Sequence, residues 1–123
     1  MKKNLSATAF LGFLAVALGA FGAHALKEKL SIADLKTFET GVRYQMYHVI
    51  VLLFVNTFAD FSDKTKNFIS TFFFLGILFF SGSLYVITTT SVAAKSIWFI
   101  TPLGGLFLII GWLLLLYQFI KRN

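Results

Sequence analysis

Between residues 24 and 48 the chain gathers most of the side chains with which it could do chemistry: His24, Asp34, Glu39, Arg43, Tyr44, Tyr47 and His48. Two imidazoles can ligate a haem or a divalent metal, and imidazole exchanges protons near neutral pH. Metal sites ordinarily take three or four ligands held by further hydrogen bonds, and no His-x-x-x-His or Glu-x-x-His spacing occurs here. Arg43 beside two tyrosines suits another ligand, because guanidinium pairs with phosphate in bidentate fashion and phenols favour the head-group level of a bilayer. His24, Arg43, Tyr44, Tyr47 and His48 are therefore the candidates for a lipid or ligand site, with no resident metal or cofactor predicted. An architectural role for the same residues stands beside that reading. In it His24 bonds a loop carbonyl and His48 packs beside Tyr44.

Other chemistry is thin. The chain has no Cys, which removes disulfides, thiolate nucleophiles and zinc–sulfur sites. Proton-coupled export by a small four-span protein needs a carboxylate at membrane depth, and here Asp60 and Asp63 stand at the end of an apolar stretch. Ser81, Ser83 and the Thr88–Thr90 run have no base beside them in sequence, and Pro102-Leu103-Gly104-Gly105 lacks the Lys and preceding strand of a phosphate loop. The expectation is a protein that is not an enzyme.

The elements that must position these residues are long and apolar. Of 123 residues, 58% are hydrophobic, and mean hydropathy is +0.82. Four stretches, about 5–26, 41–60, 68–90 and 97–120, carry no permanent charge except Arg43 near one edge and Asp60 at the other. Each is about the length a helix needs to cross a hydrocarbon core of roughly 30 Å. The reading is an all-α membrane protein of one domain, residues 1–123, with four transmembrane helices in an antiparallel bundle. The net charge of +6 belongs to cations flanking the spans, so nucleic acid is not an expected partner. Lys2, Lys3, Lys64, Lys66, Lys121 and Arg122 fall on the side of the termini, which predicts cytoplasmic termini in a bacterial inner membrane. Met1-Lys2-Lys3 before an apolar run, with Ala23-His24-Ala25 after it, has the outline of a secretory signal. The run is longer than a signal's apolar region, so a retained first span is expected.

Within the spans, small residues mark packing. On a helical wheel Ala9, Gly12, Gly19, Ala20 and Ala23 share an arc of about 100°, interrupted by Val16. Gly76 in the third span, and Gly104 and Gly105 in the fourth, let neighbouring backbones approach, as small residues do in membranes. Gln45, His48, Leu52 and Asn56 form a polar stripe that must face the bundle interior, with Tyr44, Gln45 and His48 at or just below the head groups. Between the first two spans, Ser31 with Asp34 reads as a helix cap and predicts a short interfacial helix at about 32–40. Glu39 is placed to pair with Arg43, Ser96 to cap the fourth helix, and Trp112 to pack between helices.

The run Gly19-Ala20-Phe21-Gly22-Ala23-His24-Ala25-Leu26, followed by Tyr44 and Tyr47-His48, Gly82-Ser83-Leu84-Tyr85, Thr101-Pro102-Leu103-Gly104-Gly105 and Gly111-Trp112, resembles the domain-of-unknown-function 423 family, also called transmembrane-protein-256-like. The resemblance covers essentially the whole chain. It implies a small four-span membrane protein and no catalytic residue. The functional expectation is a non-enzymatic accessory or scaffold protein acting through helix packing, in a larger membrane complex or a homo-oligomer. The alternative is a module that binds a lipid or a quinone-like ligand. Membrane lipids are partners in either case.

Overall fold

The computed structural model describes residues 2–122. Among these the regular structure is helical throughout, with no strand. Helix α1 runs over Lys2–Leu26 and winds as a π-helical turn over Leu18–Gly22. Helix α2 covers Ile32–Thr57, α3 Asp63–Thr89 and α4 Ile100–Arg122, the last preceded by a 3₁₀ turn at Ala94–Ser96. Three of them (α1, α3 and α4) are long and apolar enough to cross a membrane. The polar N-terminal half of α2 keeps it outside that group by composition.

The helix ends follow local chemistry. Ser31 caps α2 by accepting the Asp34 amide at 3.0 Å, and Ser62 caps α3 by accepting the Thr65 amide at 3.2 Å. Thr88, Thr89 and Thr90 bond back to the carbonyls of Leu84, Tyr85 and Val86 at 2.5–2.7 Å, which lets three hydroxyls sit at the end of an apolar helix. Two expectations are corrected here. Residues 32–40 are not a separate interfacial helix but the first turns of α2. The one weak helix former at the junction, Gly41, costs only about 1 kcal/mol, and it is buried where a Cβ would come within 2.9 Å of the Tyr85 ring. Ser96 lies in the 3₁₀ turn and does not cap α4, which begins at Ile100 with Pro102 in its first turn, where a missing N–H does little harm.

The helices pack antiparallel in chain order, and the register can be followed residue by residue. Along α1 and α2 the facing pairs step from Asn4–Asn56 through Gly12–Val49 and Gly19–Val42 to Gly22–Phe38. Between α2 and α3 they run from Gly41–Ser81 to Asn56–Ser70. Between α3 and α4 they step from Phe73–Gly111 through Gly76–Leu108 and Phe80–Gly104 to Ser83–Thr101. The core is shared by α2, α3 and α4. It centres on Leu52, Val55, Ile69, Phe73, Ile77, Leu108 and Leu115, while α1 adds Leu11 at its edge. Helix α1 thus lies on the outside of α2. Its most buried side chains are Thr8 and Ala15, and Phe10, Phe13, Val16 and Phe21 all stay exposed.

The tightest seam is between α3 and α4. A Cβ on Gly104 would strike the backbone nitrogen of Phe80 and lie 2.7 Å from the carbonyl carbon of Phe79, a position no rotamer change can relieve. Gly82 faces open space, with nothing near its missing Cβ. Gly104→Ala should therefore destabilise the protein by at least about 1–3 kcal/mol, the usual range for overpacking. Gly82→Ala should be neutral or slightly stabilising, since it replaces a weak helix former in an uncrowded place. Thermal unfolding of the two variants in the same detergent tests the pair; equal midpoints would contradict the seam.

Candidate functional site

The polar stripe of α2 is where the chemistry of the bundle gathers, and it faces inward. Gln45, His48, Leu52 and Asn56 are all buried, the last two to within 1% of complete burial. Each polar member has partners on other elements. Gln45 donates from Nε2 to the Leu11 carbonyl of α1 at 2.7 Å and accepts from the Tyr85 hydroxyl of α3, also at 2.7 Å. One amide therefore ties three helices.

His48 is held at both ring nitrogens. The indole N–H of Trp112 on α4 donates to Nε2 at 3.1 Å, and Nδ1 lies 2.6 Å from the Tyr44 carbonyl. An indole nitrogen can only donate and a carbonyl can only accept, so the proton sits on Nδ1 and the ring is the neutral tautomer. Phe73 packs at 5.6 Å between ring centroids. Neither nitrogen is spare for a haem or a metal unless one of these bonds breaks. Among the described residues no three His, Cys, Asp or Glu side chains gather into a metal-holding group.

The register sets His48 beside the Gly12–Val49 contact and opposite Trp112, half-way along the bundle. The reason is the continuity of α2: its helix starts at Ile32, so the stretch lying against α1 is centred near residue 47. Arg43 lies between that centre and the helix start. It does not pair with Glu39; its Nη2 donates to the Thr40 hydroxyl at 3.2 Å, back toward the N-terminal end of α2. A long cation on an apolar helix behaves this way when it reaches for the interface.

The five candidates are therefore not one cluster. Tyr44, Tyr47 and His48 line a groove of about 450 Å³ with Phe80, Gly105 and Trp112. Tyr44 packs against Phe80 at 4.8 Å between ring centroids. His24 is exposed near the end of α1, in a separate pocket with Ala25, Lys27 and Glu28, about two helical turns from Arg43 along the α1–α2 register. Trp112 bridges to α2 by its indole edge yet remains 48% exposed, which corrects its expected place between helices.

The small residues also divide. Gly12 and Gly19 face α2, meeting Val49 and Val42, while Ala9 and Ala20 are exposed and Ala23 is half-buried. Gly76 and Gly104 face the α3–α4 seam. Gly105 opens the floor of the groove, with Phe80 the nearest neighbour to its missing Cβ at 3.9 Å. Sequence reasoning missed a second polar node at the other end of the bundle. There the Asn4 side chain donates to the side chains of both Asn56 and Asn67, at 3.0 and 2.8 Å, and Asn56 donates to the Ser70 hydroxyl at 2.8 Å. The available signal was Asn4, Thr8, Leu11 and Ala15 at helical spacing, a face whose polar end requires a partner.

A family model described as a protein of unknown function (DUF423) matches residues 18–105. The chain belongs to the DUF423 family. The matched region takes in the π turn, Gln45, His48 and Gly104, and stops before Trp112. The chain is 41% identical over 115 residues to a UPF0382 membrane protein of Staphylococcus saprophyticus, covering 94% of each. It is 38% identical over 123 residues to the UPF0382 membrane protein YwdK of Bacillus subtilis, covering 98% of each. It is also 35% identical over 114 residues to the UPF0382 inner membrane protein YgdD of Escherichia coli, covering 92% of this chain and 86% of that one. No solved structure matches it. Among DUF423 proteins, then, this one is a helical membrane protein whose polar stripe on α2 is paired across helices.

Trp112→Phe keeps most of the apolar contact and removes the one donor to Nε2 of His48. It should cost about 1–3 kcal/mol, the penalty for leaving a buried acceptor unpaired. The ring ¹⁵N resonances of His48, read by NMR in micelles, should show Nδ1–H and an accepting Nε2 in the wild type, with Nε2 shifted in the variant. A protonated Nε2 in the wild type would refute the assignment.

Proposed function

We propose that this DUF423 protein is a four-span, non-enzymatic accessory subunit of the bacterial inner membrane, acting through helix packing with another membrane helix, and that both termini are cytoplasmic. The fourth span in this reading is α2. Its support is the register: α2 lies antiparallel to α1 from Asn4–Asn56 to Gly22–Phe38, so a membrane crossed by α1 is crossed by α2 as well. At 26 residues α2 is about 39 Å long, and its polar side chains at depth are turned inward to partners, as lipid demands.

The observation that carries the accessory role is the position of α1. Polar side chains on the inner surfaces of the helices are bonded across helices or back to their own carbonyls, and no buried side-chain nitrogen or oxygen among the described residues lacks a partner. The outer side of α1 meanwhile leaves Phe10, Phe13 and Val16 uncovered along about two turns, beside the exposed small residues Ala9 and Ala20. Small residues with flanking aromatics let a second helix approach closely. A second reading, a module for a lipid or quinone-like ligand, is favoured by the groove of Tyr44, Tyr47, His48 and Trp112. Its volume lies within the usual range for ligand sites, roughly 300–1,000 Å³.

A cysteine-free chain makes both claims testable by single substitutions. Lys29→Cys and Ser91→Cys should react with an impermeant maleimide only from outside the cytoplasm, and Ala59→Cys only from within it. Labelling of Lys29→Cys and Ala59→Cys from one side would reject the fourth span. Phe13→Cys should cross-link in native membranes to a discrete polypeptide or to a second copy. Leu113→Cys, on exposed α4, should not; equal, diffuse cross-linking from both would reject the α1 contact. For the groove, Gly105→Leu should expel any lipid or quinone that copurifies in stoichiometric amount. Unchanged content would reject the second reading.

A further inference from the structure

At the end of the bundle that carries the termini, a cavity opens between α3 and α4. It measures about 550 Å³, and Phe68, Ile69, Leu114 and Tyr117 supply its apolar wall. Lys64, Thr65 and Gln118 stand at its rim. Thr65 and Gln118 also border a second hollow of about 330 Å³, together with Ser62 and Lys121. An apolar trough therefore runs out onto a polar, cationic shelf.

The charges on that shelf are unevenly engaged. Asp60 is paired with Arg122, whose Nη1 lies 3.4 Å from its carboxylate and whose Nη2 donates to its carbonyl. The guanidinium is further pinned over the rings of Phe58 and Phe61, at 5.5 and 5.1 Å. The acid facing this hollow is thus already neutralised. Lys121 has its ammonium 5.9 Å from the centre of the Tyr117 ring, at the groove wall. Lys64 lies in the first turn of α3, one residue after the exposed Asp63, whose charge opposes it in part.

We propose that this trough and shelf seat one anionic phospholipid, with the phosphate against Lys64 and Lys121 and an acyl chain along Phe68, Ile69 and Leu114. Two lysine ammoniums are point charges suited to a phosphate. The Thr65 hydroxyl, which accepts from Ser62, and the Gln118 amide can donate to glycerol or phosphate oxygens. A zwitterionic lipid would bring its own ammonium against these cations, so the site selects net negative charge. The seat is separate from the groove at His48 and does not depend on which reading of that groove holds.

Native mass spectrometry of the full-length protein in mild detergent tests the seat, with phosphatidylglycerol and phosphatidylcholine added in turn. Wild type should retain phosphatidylglycerol in preference to phosphatidylcholine. Lys64→Gln with Lys121→Gln should weaken phosphatidylglycerol about thirtyfold, the effect of two surface cations. Lys27→Gln with Lys29→Gln, at the other end of the bundle, should leave it unchanged. Leu114→Trp, which fills the trough and keeps both cations, should also weaken it. Equal loss from both lysine pairs would mean undirected charge attraction and would overturn the proposal. So would full retention in Leu114→Trp, or displacement of the lipid by glycerol phosphate alone.

Discussion

In a membrane, a polar side chain that points away from water must find its partner inside the protein, and the arrangement of α2 follows from that requirement. Gln45, His48 and Asn56 recur on one side of the helix, and that side can be satisfied only if other helices surround it. Gln45 draws in α1 through the Leu11 carbonyl and α3 through the Tyr85 hydroxyl. His48 draws in α4 through the Trp112 indole, and Asn56 draws in α3 through Ser70 and α1 through Asn4. The least apolar helix is consequently the hub. The more apolar helices can take the outside because lipid is an acceptable neighbour for them.

Two kinds of contact then complete the bundle, and they differ in strength. Helices α3 and α4 meet backbone to backbone at Gly104, and Gly76 and Gly111 likewise stand where a Cβ would intrude on Leu108 and on the Phe73 ring across the seam. Contacts of that kind are dense in dispersion energy and intolerant of substitution. Helix α1 is attached differently. Its glycines meet side chains of α2 at 3.2–3.4 Å rather than backbone, and most of its aromatic side chains face outward. A fixed three-helix core with a more lightly held fourth helix is the mechanical consequence. Such a construction suits a helix that exchanges lipid for a partner.

The two ends of the molecule also carry different chemistry. Toward the termini, cations stand around the α3–α4 trough and Arg122 clamps the turn after α2 through Asp60. Toward the other end, threonine hydroxyls are folded back onto their own helix, and Arg43 is turned to Thr40. The middle is occupied by a neutral imidazole locked between an indole and a carbonyl. That geometry reads as an architectural joint first and as a lining of the adjacent groove second.

By itself the sequence determined the helical class, the apolar stretches near the observed helices and the inward direction of Gln45, His48 and Asn56. Each depends on composition or on helical periodicity, which are local. It also identified Gly76 and Gly104 as places of close approach, because a missing side chain on an apolar helix has few other uses. The tertiary structure decided what depends on pairs far apart in the chain. Periodicity tells which residues share a side of one helix but not which helix faces them, so it could not show that Gly12 and Gly19 meet α2 while Ala9 and Ala20 stay exposed. Where His48 falls along the bundle depends on where α2 begins, and the cap at Ser31 opens the whole of α2 rather than a separate short helix. That Trp112 would meet His48, that Asn4 would meet Asn56 and Asn67, and that Arg122 would close on Asp60 were beyond any sequence pattern. Each of these contacts joins residues more than fifty positions apart, and only the antiparallel register brings them together.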